Sequence, residues 1–249
     1  MQTNQPIDEA YFRMQPKRAL KALWKLLADP NDTAQVFTII ESLAGRSQLK
    51  LYNRFLIDPS GQRLLQTRSQ ILEKLADRAY LESLPSGSLG RAYLAFLDRE
   101  GITPDGLVEA SVEGHAMELD PESEPEYIRS RLRDTHDLWH AVTGYEGDVL
   151  GELALLAFST AQTANPGIDL IVIAGALRSR KLEVAKRALS AYRDGKRAAW
   201  LPGVVWEELL PRSLADVRRE LGIAPAAPYT RMRSDWTVDE GAIAAAPAA

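Results

Sequence analysis

Apolar residues recur along the chain at the period of a helix, not at the alternation of a strand. In the first such segment, 16–28, Leu20, Leu23, Trp24 and Leu27 share one face, and Pro16 suits a first helical turn. A second opens from an Asp32 cap, with Val36, Ile39, Ile40 and Leu43 inward and Gly45 as its stop. A third covers 47–56 and is ended by Asp58-Pro59. Residues 63–81 read as one further helix, through Leu64, Leu65, Ile71, Leu72 and Leu75. The turn-rich stretch LPSGSLG, 84–90, precedes a short helix carrying Tyr93, Phe96 and Leu97.

The least regular part is 101–125, with glycines, prolines and a crowd of acids that runs on to Glu126. It is expected to be loop, and long loops inside compact domains are often functional. Helical spacing resumes over 126–142, 148–163, 168–177, 182–193 and 213–221. Only DLIVIA, 169–174, has the composition of a strand, too little for a parallel sheet. The pattern predicts an all-α protein: one helical domain over 1–223, then a tail, 224–249, expected to be disordered or loosely docked.

With 249 residues, 45% of them hydrophobic, the chain can bury a sizeable core. A net charge of −4 argues against nucleic acid as the main partner, since phosphate binding needs a basic face. There is no cysteine, which excludes disulfides, thiolate zinc sites, iron–sulfur clusters and cysteine nucleophiles. The N-terminal residues have no apolar core and carry acids, so neither a signal nor a transit peptide is expected. The longest apolar run, 170–177, is far below the roughly 20 residues of a membrane span. The expectation is a cytoplasmic protein, with peripheral contact at the inner face of a membrane left open. The basic run RSRK, 178–181, with Lys186-Arg187, reads as a solvated helix face or as a contact for anionic headgroups.

Candidate chemistry concentrates in THDLWHAVTGYEGDVLGELALLAF. His136 and His140, two of the three histidines, are four residues apart. On a helix that spacing is about 40° of rotation and about 6 Å of rise, so both imidazoles can share an ion. Glu152 lies twelve residues further on, about 18 Å away along one continuous helix. Thr143 to Gly147 is turn chemistry, however, and folding the chain back there brings His140 and Glu152 to similar heights on facing helices. Two histidines and a carboxylate then converge with positions left open, a catalytic rather than a structural arrangement. Asp137 points off the shared face. It is a ligand at the edge of the site, a proton-transfer group, or a carboxylate that orients a histidine. His115, without a partner at useful spacing, reads as exposed. LPSGSLG matches no phosphate-binding loop.

At H-D-x-x-H, then eleven residues and Glu, the chain resembles the coenzyme Q (ubiquinone) biosynthesis protein 4 family. The likeness extends from Leu84-Pro85 and Ser88-Leu89-Gly90, through Tyr127-Ile128, Arg131 and Gly151-Glu152, to PRSLADVRRELGI at 211–223. It implies a divalent metal, most often zinc, on the residues matching His136, Asp137, His140 and Glu152. It also implies a polyprenylated aromatic substrate, a homodimer, peripheral membrane association and other ubiquinone biosynthesis proteins as partners. The implied activity is removal of the ring carboxylate from a 4-hydroxybenzoate-type intermediate, replaced by hydroxyl in the oxidative version, with Asp137 managing a proton. Gly106-Leu107 and the uncharged surroundings of Phe158 depart from the family's pattern and put its substrate-anchoring charges in doubt. The contrasting reading is a prenyl-lipid-binding scaffold with a structural metal. Metal-dependent hydrolysis fits less well, because a peptidase wants Glu after the first histidine.

Overall fold

A computed structural model describes residues 13–114 and 120–239. They form fourteen helices: α1 Pro16–Ala28, α2 Thr33–Ile57, α3 Pro59–Thr67, α4 Ile71–Ala76, α5 Arg78–Ser83, α6 Leu89–Glu100, α7 Pro104–Gly114, α8 Glu124–Asp134, α9 His136–Thr143, α10 Val149–Thr163, α11 Pro166–Ser179, α12 Leu182–Arg197, α13 Trp206–Leu209 and α14 Leu214–Leu221. Among the described residues the extended pairings are isolated bridges, Ser88 with Ser213 and Met232 with Val238. The all-α expectation holds, and DLIVIA lies inside α11.

Helix boundaries differ from the periodicity where local hydrogen bonding or tertiary contact overrides it. Gly45 does interrupt the second segment, at φ 46°, but as a kink through which α2 continues to Ile57. Residues 63–81 are not one helix. Arg68 turns left-handed (φ 50°) to end α3, and Asp77 caps α5 by accepting from the Tyr80 N–H. The expected loop at 101–125 contains α7, whose acid-rich sequence shows little amphipathic pattern. It is held from outside: Thr38 Oγ1 donates to Gly114 O at 2.9 Å, and Gly114 lies so close to Ala34 O that a side chain there would collide. The expected helix over 126–142 breaks at Thr135 into α8 and α9.

Two further differences concern surfaces. Leu20 and Trp24 do not face the core. Ala19 and Ala22 are buried, while Trp24 is 67% exposed. The segment after Ile223, expected to be disordered or loosely docked, is packed onto the body as far as Asp239, burying Met232 and Trp236 against Leu150, Leu153 and Val184. The main core gathers α6, α9, α10, α12 and α14 around Tyr93, Trp139, Phe158 and Trp206. α9 and α10, the two helices that carry the candidate site, therefore have their apolar faces locked in it.

Candidate metal centre

α9 ends because Gly144 adopts φ 80°, a conformation that costs glycine little. Its N–H bonds to His140 O at 2.8 Å. α10 begins at Asp148, whose carboxylate accepts from the Leu150 N–H. The chain reverses between them, as the turn residues require. His140 Nε2 stands 3.2 Å from Glu152 Oε1, and His136 Nε2 stands 3.8 Å from Glu152 Oε2. The two imidazole centroids are 4.9 Å apart. His136, Asp137 and His140 each offer a ligand atom within 4.8 Å of one another. All four residues singled out from the sequence are thus together. Asp137 Oδ1 lies 3.1 Å from His136 Nδ1, the ring nitrogen other than the one that approaches Glu152.

The tautomer of His140 follows from its neighbour. Nδ1 lies 2.9 Å from the carbonyl oxygen of Tyr145, which can only accept, so Nδ1 carries the proton. In the neutral form of the ring, the one a metal ion would bind, the Nε2 lone pair is turned toward Glu152. Nε2 is buried and lacks a hydrogen-bond partner, since its approach to Glu152 is not aligned as one. A buried polar atom left unsatisfied is rare, and this one faces a carboxylate, so a cation between them would satisfy both. Phe96, stacked on the ring at 4.9 Å, fixes its plane.

Electrostatics point the same way. Burial opposes charge on His140, yet the charge and close approach of Glu152, with Asp137 behind, hold its pKa above the ordinary imidazole value. Burial likewise opposes charge on Glu152, and the charge of His140 and then His136 pulls its carboxyl down to about 2. The cluster favours one added positive charge. Two imidazole nitrogens and a carboxylate are ligands that zinc and similar divalent ions accept, so the residues fit the implied metal.

The site is not sealed. Glu152 keeps 41% of its side-chain surface, which faces a cavity of about 860 Å³ lined also by His136 and Asp137. The rest of that cavity is mainly apolar, walled by Leu23 and Leu26 of α1, Phe37 and Ile40 of α2, Leu156 of α10 and Ile171 of α11. The carboxylate therefore keeps access to the cavity. Arg129 and Arg133 also line the cavity, each engaged with acids, Glu41 and Glu126 for the first and Asp134 for the second.

His115 lies outside the described residues. Ser88 of LPSGSLG caps α6 by accepting from the Arg91 N–H, so the stretch starts a helix. RSRK is only partly a solvated face: Arg178 lines the cavity, and Lys181 Nζ donates to Trp236 O at 2.6 Å. Sequence reasoning missed Arg129 and Arg133, although their spacing to His136, four and then three residues, was a helical signal. The Tyr145 carbonyl and the Phe96 ring left no signal that spacing could read.

Comparison with known proteins agrees with the resemblance. Residues 15–227 match the family described as coenzyme Q (ubiquinone) biosynthesis protein Coq4. The chain is 39% identical over 179 residues to a mitochondrial ubiquinone biosynthesis protein of Aspergillus terreus, covering 70% of this chain and 59% of the relative. A Pyricularia oryzae protein of the same description is 36% identical over 207 residues, with 82% and 66% covered. The chain thus spans about six tenths of the length of such relatives. The crystal structure of a candidate ubiquinone biosynthesis protein from Nostoc punctiforme superposes with a TM-score of 0.62 at 22% identity, over 84% of this chain and 98% of that one. That likeness concerns the fold.

Proposed function

The chain belongs to the coenzyme Q (ubiquinone) biosynthesis protein Coq4 family, and on that premise we propose that it acts in ubiquinone biosynthesis as a metal-dependent decarboxylase of a polyprenylated 4-hydroxybenzoate-type acid. The observation that carries this reading is that His136 and Glu152, with His140 buried behind them, open the cluster onto a large, mainly apolar cavity. Its volume, about 860 Å³, falls in the range of small-molecule pockets. A metal-stabilised scaffold would rather close its metal with four protein ligands.

His136, His140 and Glu152 would hold the metal, zinc by preference, through Nε2, Nε2 and the carboxylate. When bound, it supplies Lewis-acid stabilisation of a carboxylate or phenolate. The Tyr145 carbonyl and the Asp137 carboxylate hold the two imidazoles by Nδ1, so that Nε2 faces inward. The leucine and isoleucine walls bind the prenyl chain and exclude water from the ring. As the ring carbon–carboxylate bond breaks, carbon dioxide leaves and the electron pair stays on the ring carbon, which takes up a proton. Asp137, which lines the cavity, would deliver it in its protonated form. In the oxidative version dioxygen would supply the hydroxyl oxygen, its second oxygen leaving as water with two electrons from an external reductant.

The test combines metal, oxygen and a prenylated hydroxybenzoate with purified protein, reading released carbon dioxide and ring product. No product under any metal or oxygen condition overturns the enzyme reading and leaves the scaffold. Among the described residues no helix is long and apolar enough to cross a membrane. Peripheral contact is supported by α1, where Leu20 and Trp24 lie exposed among Lys17, Lys21 and Lys25, the pattern of an interfacial helix. Co-sedimentation with anionic vesicles that survives Trp24→Ser would remove that contact. The relatives' names favour a mitochondrial placement over the cytoplasmic one. Homodimerisation and association with other ubiquinone biosynthesis proteins complete the proposal. A monomer by light scattering would remove the dimer, and capture of no pathway enzyme would remove the association.

A further inference from the structure

The turn between α9 and α10 sets how far Glu152 stands from His140, and much of what braces it comes from outside the turn. The family match ends at residue 227. Residues 228–239, beyond it, run as a strap across this turn. The Tyr229 hydroxyl donates to Asp148 Oδ1 at 2.7 Å and accepts from the Glu146 N–H at 3.1 Å. The Met232 N–H donates to Asp148 Oδ2 at 2.8 Å. Arg231 spans Glu100 at the end of α6 and Glu146 in the turn, at 2.6 and 3.0 Å. Gly151, immediately before Glu152, has the Tyr229 hydroxyl and Glu146 O where a side chain would sit. Tyr229 therefore touches both the turn and the residue next to the ligand. Arg231 and Met232 also form part of the cavity wall.

We infer that this strap, through Tyr229 and Arg231, positions Glu152 against His140 and so sets the affinity of the site for a divalent cation. The inference rests on the metal reading above. Functional constellations must be held to about 0.5 Å, and Asp148 caps the very helix turn from which Glu152 projects. Tyr229 and Arg231 are positioning residues that act through Asp148 and Glu146. The strap also buries Met232 and Trp236, so a general packing role has to be separated from a positional one.

Full-length Tyr229→Phe and Arg231→Gln separate the two, with Lys181→Met as the contrast. Lys181→Met releases the strap at Trp236 O without touching the turn. Each chain, freed of metal, is titrated with Co(II) against a chelator while the visible ligand-field bands are recorded. Tyr229→Phe and Arg231→Gln are expected to weaken Co(II) binding by about tenfold or more, the effect of losing an outer-shell partner, and to change the bands. Lys181→Met is expected to lower the thermal midpoint with affinity and bands unchanged. Wild-type affinity in both turn variants overturns the inference alone, and so does a loss in Lys181→Met equal to theirs. If Tyr229→Phe does not fold, Arg231→Gln decides. A wild type that takes up no Co(II) overturns the metal reading, and this inference with it.

Discussion

His140 donates from Nδ1 to the carbonyl oxygen of Tyr145, five residues ahead and across the start of the turn, at 2.9 Å. One backbone acceptor thereby decides which nitrogen of a buried imidazole carries the proton and which faces Glu152. Asp137 does the corresponding work for His136, from a side chain. The two histidines thus differ in how firmly they are held. His140 is fixed by backbone and by the Phe96 stack, and His136 by one side-chain carboxylate.

That difference yields the first prediction. His140→Ala should abolish metal uptake, whereas Asp137→Asn should bind with affinity reduced by about 10–100-fold, as for an outer-shell partner. Elemental analysis of protein purified without added metal, with chelator competition on the reloaded chain, checks both. Equal metal in wild type and His140→Ala removes the site. An Asp137→Asn as empty as His140→Ala makes Asp137 a ligand.

The cavity can be tested without knowing the prenyl length. Ala174 lines it from α11 and is only partly buried, so a larger side chain there takes up cavity space rather than core. Ala174→Trp should keep wild-type metal affinity and reduce binding of a fluorescent prenyl analogue by about tenfold or more, since each methylene kept from burial forfeits about 0.8 kcal/mol. Unchanged analogue binding would place the apolar ligand elsewhere.

The site was more legible in the sequence than the fold was. His136, His140 and Glu152 could be placed by counting, because helix pitch and a turn at Gly144 fix their heights independently of the rest of the chain. Helix ends were less legible where neighbours decide them. α7 depends on contacts with Thr38 and Ala34, some 76 residues away for the former. The packed course of 224–239 was hidden because its composition is that of a tail. Its order comes from long-range partners, Asp148 and Glu146 for Tyr229, Glu100 and Glu146 for Arg231, and the Leu150, Leu153 and Val184 cluster for Met232 and Trp236. The buried face of α1 is hard to read for a related reason, since alanines pack where helices approach closely and leave Leu20 and Trp24 outside.

Acid should expose a second buried pair. Arg131 binds Glu207 with both nitrogens of its fork, at 2.9 and 2.8 Å, and the two side chains are only 2% and 8% exposed. Burial pushes the Glu207 carboxyl up, but the hydrogen bonds and charge of Arg131, with Ser69, hold it below its ordinary value. A depressed folded pKa stabilises the fold above the unfolded value of about 4.3. That contribution is lost as pH falls through the folded value, because the unfolded chain takes up the proton first. Urea midpoints should therefore fall as pH drops below about 4.3. Glu207→Gln should lose about 3–5 kcal/mol at pH 7 by leaving Arg131 buried and unpaired, and should fall less steeply below pH 4.3. Parallel acid profiles for the two proteins would remove Glu207 as a contributor.

Two glycines of the hairpin should respond differently to the same change. At Gly144 the cost of a side chain is conformational: φ is 80°, while an added Cβ would meet only ordinary contacts, Ala226 N at 3.5 Å and Arg218 Nη2 at 3.6 Å. Gly144→Ala should cost about 1–2 kcal/mol, the left-handed penalty for one residue. It should leave metal affinity near wild type, because α9 and α10 are each anchored in the core. Gly151 lies in a helix, so its backbone tolerates any residue, but a Cβ there strikes Glu146 O and the Tyr229 hydroxyl. A backbone oxygen cannot move aside as a flexible side chain can, so the N-terminus of α10 must shift, and Glu152 with it. Overpacking of this kind costs about 1–3 kcal/mol, comparable with Gly144→Ala, so stability alone will not distinguish the two. Metal affinity will: Gly151→Ala should lose about tenfold or more where Gly144→Ala loses little. Equal affinities in the two variants, measured at matched temperature below both unfolding transitions, would show that the height of Glu152 is not set at the start of α10.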